Sequence, residues 1–468
     1  MNFASVQFWV IGILGFLILK SIQFVCFRKN SEFDQIALCI LGVTLLASES
    51  VLTLSVFLYV LVITHCCERV AARCSSAALI GLIAALLTPL IYFKYSDFLF
   101  GGLNSGNVLS YAGIIPMGIS FYSFQAIAYL VDGRREFERK GKLSKNSFLT
   151  KFNFLGFFPQ IVAGPIERRQ SLLPQIEKFK FGIIKNQLSP AIHWIVLGLF
   201  FKLVLADNLA GSTNAIDREI GGLFAALFVM LGNTFRIYFD FAGYSFVAIG
   251  LGRLFGISLT LNFLSPYLAI SPRDFWRRWH ISLSQWLRDY IYIPLGGSRT
   301  RFHLLAILAV FIISGLWHGA GWNFIFWGFL HGIGVVIWSL LRLDKIPKVC
   351  GWAITQMFIV FTWIPFFDSS LSGTIETFSK VFSPSSWSVM WNTEIANYIQ
   401  IFGSRGDFLL FLALLIFSIG ILILEWLSVR KKGDAYKLFI NDFSCFLMVV
   451  SIVVLGSSSE GEFVYFNF

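Results

Sequence analysis

SPRDFWRRWHISLSQWLRDYIYIPLGGSRT (residues 271–300) and, after an apolar run, SGLWHGAGWNFIFWGFLHG (residues 314–332) set two histidines among tryptophans, arginines and glycines. Ser271, Pro272 and Asp274 form a helix-start signature: a hydroxyl cap, a proline in the first turn and a carboxylate three residues after the cap. The helix is predicted to run over 271–292, until Pro294 and Gly296-Gly297 stop it. At 100° per residue, Trp276, Trp279, Leu283, Trp286, Leu287 and Tyr290 share one face. Arg277, Arg278, Gln285, Arg288 and Asp289 share the other, with Ile281 the misfit and His280 at the edge of the aromatic face. The pattern is that of an amphipathic interfacial helix, tryptophans at headgroup level and arginines toward water or phosphates.

The surrounding chain is mostly hydrocarbon. Of 468 residues, 56% are hydrophobic and only 13% charged, with a mean hydropathy of +0.73. A soluble protein carries roughly a quarter charged residues, and several uncharged runs here are long enough to cross a bilayer. The expectation is an all-α polytopic membrane protein, a single integral domain over 1–468 with about 11 or 12 spans. The net charge of +11 does not indicate nucleic acid, because Lys and Arg cluster in short loops between apolar runs. The seven cysteines show no metal-ligand spacing, and their odd number argues against a disulfide framework. The N-terminal MNFASVQFWVIGILGFLILK lacks a basic n-region and a cleavage site, so it is expected to be a retained first span.

Basic residues order the topology. Lys20, Arg28 and Lys29 follow the first span, which places the N-terminus outside. Alternating basic loops then put the arginine-rich helix on the cytoplasmic side and His318, in the region 312–332, within the membrane or toward its outer half. Residues 368–406 are expected to form a polar external loop. Phe152–Ala163 is apolar but too short to cross, with basic flanks, and reads as a re-entrant segment or an interfacial loop. Arg236 and Asp240, four residues apart in one span, read as an ion pair or a substrate contact.

A neutral histidine in a low-dielectric cavity suits general base catalysis. Glycines beside His318 would let a substrate approach closely, and Trp317 and Trp322 would line an acyl tunnel or simply pack. No HExxH, zinc spacing, G-x-S-x-G elbow or P-loop is present, so metal, serine-hydrolase and nucleotide-hydrolysis chemistry lack their minimal parts.

FWRRWHISLSQWLRDYIYIPLGGSR and GLWHGAGWNFIFWGFLHG closely resemble the membrane-bound O-acyltransferase family. Within it they resemble the bacterial branch that holds the alginate O-acetyltransferase membrane subunit and the D-alanyl transferase of teichoic acid modification. The likeness continues through PMGISFYSFQAIAYLVD (116–132), FFPQIVAGPIERR (157–169), YFDFAGYSFVAIGLGRLFG (238–256) and the ending FVYFNF. It implies a ring of transmembrane helices around a central tunnel, in the bacterial cytoplasmic (inner) membrane. It implies His318 as the catalytic histidine and His280 as a second histidine on the same conduit. The activity implied is O-acetylation of an extracytoplasmic polysaccharide such as alginate, with no bound cofactor and with acetyl-CoA as a cytoplasmic donor substrate. Trp276, Arg277, Arg278, Trp279, Arg288, Trp317 and Asn323 are the candidate donor- or substrate-binding residues. The arginines suit donor phosphates, though membrane lipid headgroups would satisfy them equally. In alginate-type systems a separate periplasmic acetyltransferase completes the transfer, so such a partner is expected. D-alanyl transfer and a non-enzymatic transporter are the rival readings.

Overall fold

The computed structural model describes residues 3, 5–27, 31–100, 115–162, 164–219, 222–391, 406–457 and 463–464. Among these the secondary structure is entirely helical. Eight helices are long and apolar enough to cross a membrane, and two shorter apolar helices accompany them. The protein is a multi-pass membrane protein. The sequence count of 11 or 12 spans adds to these eight the two shorter apolar helices, His303–His318 and Asp442–Leu455, together with α2 (Ser31–Glu49) and α5 (Ile119–Lys140), which have the length but are more polar or charged.

Serine hydroxyls start many of the helices. Ser5, Ser50, Ser75 and Ser147 each accept the amide three residues on, opening α1 (Val6–Cys26), α3 (Val51–Arg73), α4 (Ser76–Phe100) and α6 (Phe148–Leu155). Each cap satisfies a helix-start amide that would otherwise be orphaned. Val6, Ile13, Ile18 and Val25 of α1 stand exposed, as apolar side chains do where lipid is the solvent.

The chain divides into two compact units, 1–195 with 244–261, and 196–243 with 262–468. In the first, α3 packs on α5, and a buried charge network ties them to α7 (Arg169–Glu177). Glu68 accepts from Lys151 Nζ at 2.5 Å, Arg169 Nη1 at 2.8 Å and the Tyr129 hydroxyl at 2.9 Å. After α6 the backbone leaves helical geometry yet remains buried through Phe157–Val162. Gln160 donates to Gln125 Oε1 at 3.0 Å, and Gln125 donates to the Phe154 carbonyl at 2.8 Å. Side-chain amides thus serve the interrupted backbone, as buried irregular chain demands.

Within the second unit the expected Arg236–Asp240 pair is replaced. Asp240 instead accepts from Lys202 at 2.7 Å, and Lys202 also reaches Asp207 at 2.8 Å. Lys202 comes from α8 (Lys185–Asn214), and the guanidinium of Arg236, on α9 (Gly222–Leu254), lies over the Phe367 ring. One lysine thus pairs with two buried carboxylates, which i,i+4 spacing along one helix could not reveal. The second Asp240 oxygen accepts the Val464 amide at 2.7 Å and so anchors the C-terminal segment. Residues 465–468 of that ending lie outside the described residues. So do 392–405 of the expected external loop, whose described part is helical in Leu371–Phe382 and Pro384–Val389.

Candidate active site

The predicted helix 271–292 is broken in the structure. α10 (Pro272–Arg278) starts as expected, Ser271 Oγ accepting the Asp274 amide at 3.1 Å and Asp274 accepting the Ile270 amide at 3.1 Å. It stops after two turns. Trp279 is extended, and His280 adopts φ 42°, ψ 55°, a left-handed conformation rare for a residue with a side chain. A neighbouring strip takes the hydrogen bonds a continuous helix would have used. Leu264 N donates to the Arg278 carbonyl at 3.0 Å, and Ile281 and Ser282 amides donate to Asn262 at 3.0 and 3.2 Å. α11 (Ile281–Leu287) then resumes in a new direction. Such strain costs on the order of 1–3 kcal/mol and persists where the surroundings over-determine it, typically at functional sites.

The break buries the aromatic face that the amphipathic pattern assigned to the membrane interface. Trp279 is fully enclosed, stacked on Phe275 at 5.5 Å and against Trp363 at 5.0 Å. The His280 imidazole is fully enclosed too, edge-on to Phe241 at 4.6 Å and near Trp317 at 5.9 Å. Burial pushes it down to about 3, so it is neutral at ordinary pH.

His318 closes α12 (His303–His318), which packs against α13 (Trp322–Leu340). The glycines around it serve helix contact rather than substrate access. A Cβ on Gly315 would sit 2.1 Å from the Phe324 carbonyl oxygen, and one on Gly319 would sit 2.1 Å from the Phe324 ring. Small residues let the two backbones touch. The result is a row of alternating imidazoles and indoles. His280 faces Trp317, Trp317 lies 4.9 Å from His318, His318 lies 4.9 Å from Trp327, and Trp327 lies 4.7 Å from His331.

His331, a third buried histidine, is not singled out by the sequence analysis. It is fully buried, and its Nδ1 accepts from Trp276 Nε1 at 3.3 Å, leaving Nε2 as the protonated nitrogen. The available signal was Trp327–His331, an i,i+4 pair on one helix face.

The other expected residues separate into two groups. Trp276, Arg277 and Arg288 line a cleft of about 640 Å³ with Arg273, Tyr292 and Ser314. Ser314 lies one helical turn before His318, and Trp276 carries the bond to His331. Arg278 turns elsewhere, donating to Asp274 at 2.9 Å. Trp279 belongs to the core, and Asn323 holds the Ile364–Phe367 turn by donating to the Pro365 and Asp368 carbonyls at 3.0 and 2.9 Å. That turn presents Phe366 to His318 at 5.4 Å. It also walls a second, polar pocket of about 410 Å³ with Asn233, Arg236 and Asp368. Among the described residues no group of three or more His, Cys, Asp or Glu could hold a metal ion.

The pattern of the MBOAT, membrane-bound O-acyltransferase family, matches residues 7–343, which includes all three histidines. The chain belongs to the membrane-bound O-acyltransferase family. It is 30% identical to a peptidoglycan O-acetyltransferase of Helicobacter pylori over 98% of this chain and 95% of that protein. It is 32% identical to a probable alginate O-acetylase of Pseudomonas putida, over 82% of each. A teichoic acid D-alanyltransferase of Streptococcus thermophilus is 32% identical over 47% of this chain and 56% of its own. The protein is an acyltransferase, and the transporter reading falls away.

Proposed function

We propose that this acyltransferase moves acetyl groups from acetyl-CoA, taken from the cytoplasm, to an extracytoplasmic polysaccharide across the bacterial inner membrane. The observation that carries the reading is an arginine-lined cleft whose wall includes Trp276, the hydrogen-bond partner of the enclosed His331, and Ser314, one helical turn from the enclosed His318. Arg273, Arg277 and Arg288 meet the phosphates of the donor, where a planar guanidinium pairs bidentately. Trp276 and Ser314 form the inner wall of the cleft, toward His331 and His318. A thioester laid along this wall lies one helical turn from His318, and its carbonyl reaches that ring past Ser314 and Trp276.

His318 is the general base. Its ring takes the proton of the attacking hydroxyl as the new C–O bond forms and the C–S bond breaks, then returns that proton to the departing thiolate, which leaves as free thiol. General base catalysis of this kind contributes roughly 10²–10⁴ in rate. His280, neutral and held in place by strained backbone, keeps the thioester and the His318 ring in register. The acceptor hydroxyl, carried by a separate periplasmic acetyltransferase, comes from the other side through the polar pocket at Arg236 and Asp368, and that partner then passes the acetyl group to a hydroxyl of the polymer and regains its own. Peptidoglycan is the favoured polymer over alginate, since the peptidoglycan-acetylating relative aligns with this chain from end to end.

The test follows release of free thiol from acetyl-CoA by purified protein in detergent, with and without the secreted acetyltransferase. Wild type should release thiol, and His318→Ala, folded by gel filtration, should not. Absence of release from folded wild type with the partner present overturns acetyl-CoA as donor. It would favour D-alanyl transfer from a carrier protein, the reading that the D-alanyltransferase relative supports.

A further inference from the structure

The largest polar cavity described in the first unit takes no part in that chemistry. It is a cleft of about 820 Å³ at the C-terminal end of α3, closed by the chain that follows α5. Its rim carries Arg69, Arg73, Lys142 and Lys145, all exposed, and its floor is the buried Lys151–Glu68 pair. Glu68 is committed, holding Lys151, Arg169 and Tyr129. Among the described residues the four rim cations make no ion pair, and Arg73 rests over the Phe137 ring at 5.2 Å. Four positive charges therefore face a cleft with no carboxylate free to balance them. Clustered cations of one sign raise the local positive potential and so favour an anion in the cleft.

The lining also tells what carries the anion. Beside the cations stand Ala72, Phe137 and Leu143, so the cleft is apolar as well as basic. On α3 the lipid-facing side chains Leu58, Tyr59, Val62 and Val70 are exposed and lead up to it. A span that carries exposed hydrocarbon to its end brings that end to the headgroup layer. Basic pockets between helices at this level bind anionic headgroups.

We propose that this cleft is a binding site for an anionic phospholipid, its phosphate held by Arg69, Arg73, Lys142 and Lys145 and its glycerol and upper acyl chain laid along Phe137 and Leu143. Phosphate is the shared chemistry of a lipid headgroup and a soluble phosphate compound, and the amphiphilic lining selects the lipid. The site is independent of the transferase reading, because its test measures binding rather than turnover.

The experiment titrates full-length protein in neutral detergent with phosphatidylglycerol, phosphatidylcholine or inorganic phosphate and follows bound lipid by native mass spectrometry. The variant Arg69→Gln/Lys142→Gln/Lys145→Gln empties the rim. Arg430→Gln/Lys431→Gln/Lys432→Gln makes the same charge change at the exposed end of another span. Phosphatidylglycerol should bind wild type and the second variant alike and the first at least about tenfold more weakly, each cation near the surface contributing a several-fold factor. Phosphatidylcholine and inorganic phosphate should not compete. Equal loss in both variants, or wild-type affinity in the first, overturns the site. Competition by inorganic phosphate overturns the lipid and makes the ligand a soluble phosphate compound. Should the triple variant fail to fold, Lys145→Glu at its exposed position reads the same loss.

Discussion

Two buried polar centres in this molecule are built in opposite ways. In the first unit, Glu68 is enclosed with Lys151 and Arg169, and every partner is a charge or a hydrogen-bonding hydroxyl. In the second, His280, His318 and His331 are enclosed among Phe241, Trp317, Trp327 and Trp363. Charges paired at close range are locked, because moving a proton or a side chain leaves an uncompensated ion in a poor dielectric. Imidazoles between aromatic rings are held in place by shape rather than by charge, and imidazole is the side chain whose protonation ordinarily changes nearest neutral pH. The first arrangement suits architecture and the second suits chemistry.

Breaking each centre should separate the two roles. His318→Ala is expected to lower acetyl transfer by about 10²–10⁴ while leaving expression and the gel-filtration profile intact, checked by thiol release from acetyl-CoA. Full activity in that variant would place the chemistry elsewhere. Glu68→Ala should do the reverse. Removing one partner of a buried charge pair costs roughly 3–5 kcal/mol, so the variant should lose folded protein and melting temperature, while whatever folds should turn over normally. Gly315→Ala comes next in size. Its methyl meets the Phe324 carbonyl and the Gly328 Cα, an overpacking worth about 1–3 kcal/mol, seen as a lower melting temperature with activity falling in step as the α12–α13 contact opens.

These centres differ as much in legibility. Membrane insertion, the helix start at Ser271 and the histidines of WRRWH and LWHG could be read directly, because hydropathy, capping and residue type are local properties. The break at His280 could not. It depends on Asn262 and Leu264 capturing backbone groups of the helix, a pairing that neither segment announces alone. For the same reason Arg278 looked like Arg277, and Trp279 looked like Trp276, until the break turned Trp279 into the core. Asp240 was misassigned because its cation, Lys202, comes from another helix. His331 was passed over because periodicity marks a buried position and says nothing of the Trp276 indole waiting there.

Acidification should sharpen the comparison further. His280 is neutral when folded, with its ionisation pushed down to about 3, whereas the unfolded chain binds that proton near 6.5. Between these values the unfolded state holds more protons, so stability should fall as pH drops below about 6.5 and stay level above it. Melting temperature followed from pH 8 to 5 should show this slope in wild type and a shallower one in His280→Asn. Equal slopes would mean that His280 is hydrated and ionises normally.

The smallest expected effect tests whether the imidazole row acts as a unit. Trp276→Phe keeps the ring but deletes the donor to His331 Nδ1, a loss of about 1 kcal/mol. His331 would then be free to adopt either tautomer, and its packing on Trp327, which touches His318, would loosen. The expected result is a severalfold lower kcat with KM little changed, since Trp276 retains its place in the cleft wall. His331→Asn should give a similar decrease, and the double variant should be no worse than the more severe single one, the non-additivity of residues acting through one hydrogen bond. Additive losses would mean that Trp276 serves the cleft and His331 the core separately. A change confined to KM would mean that the indole touches donor and does not position the histidine.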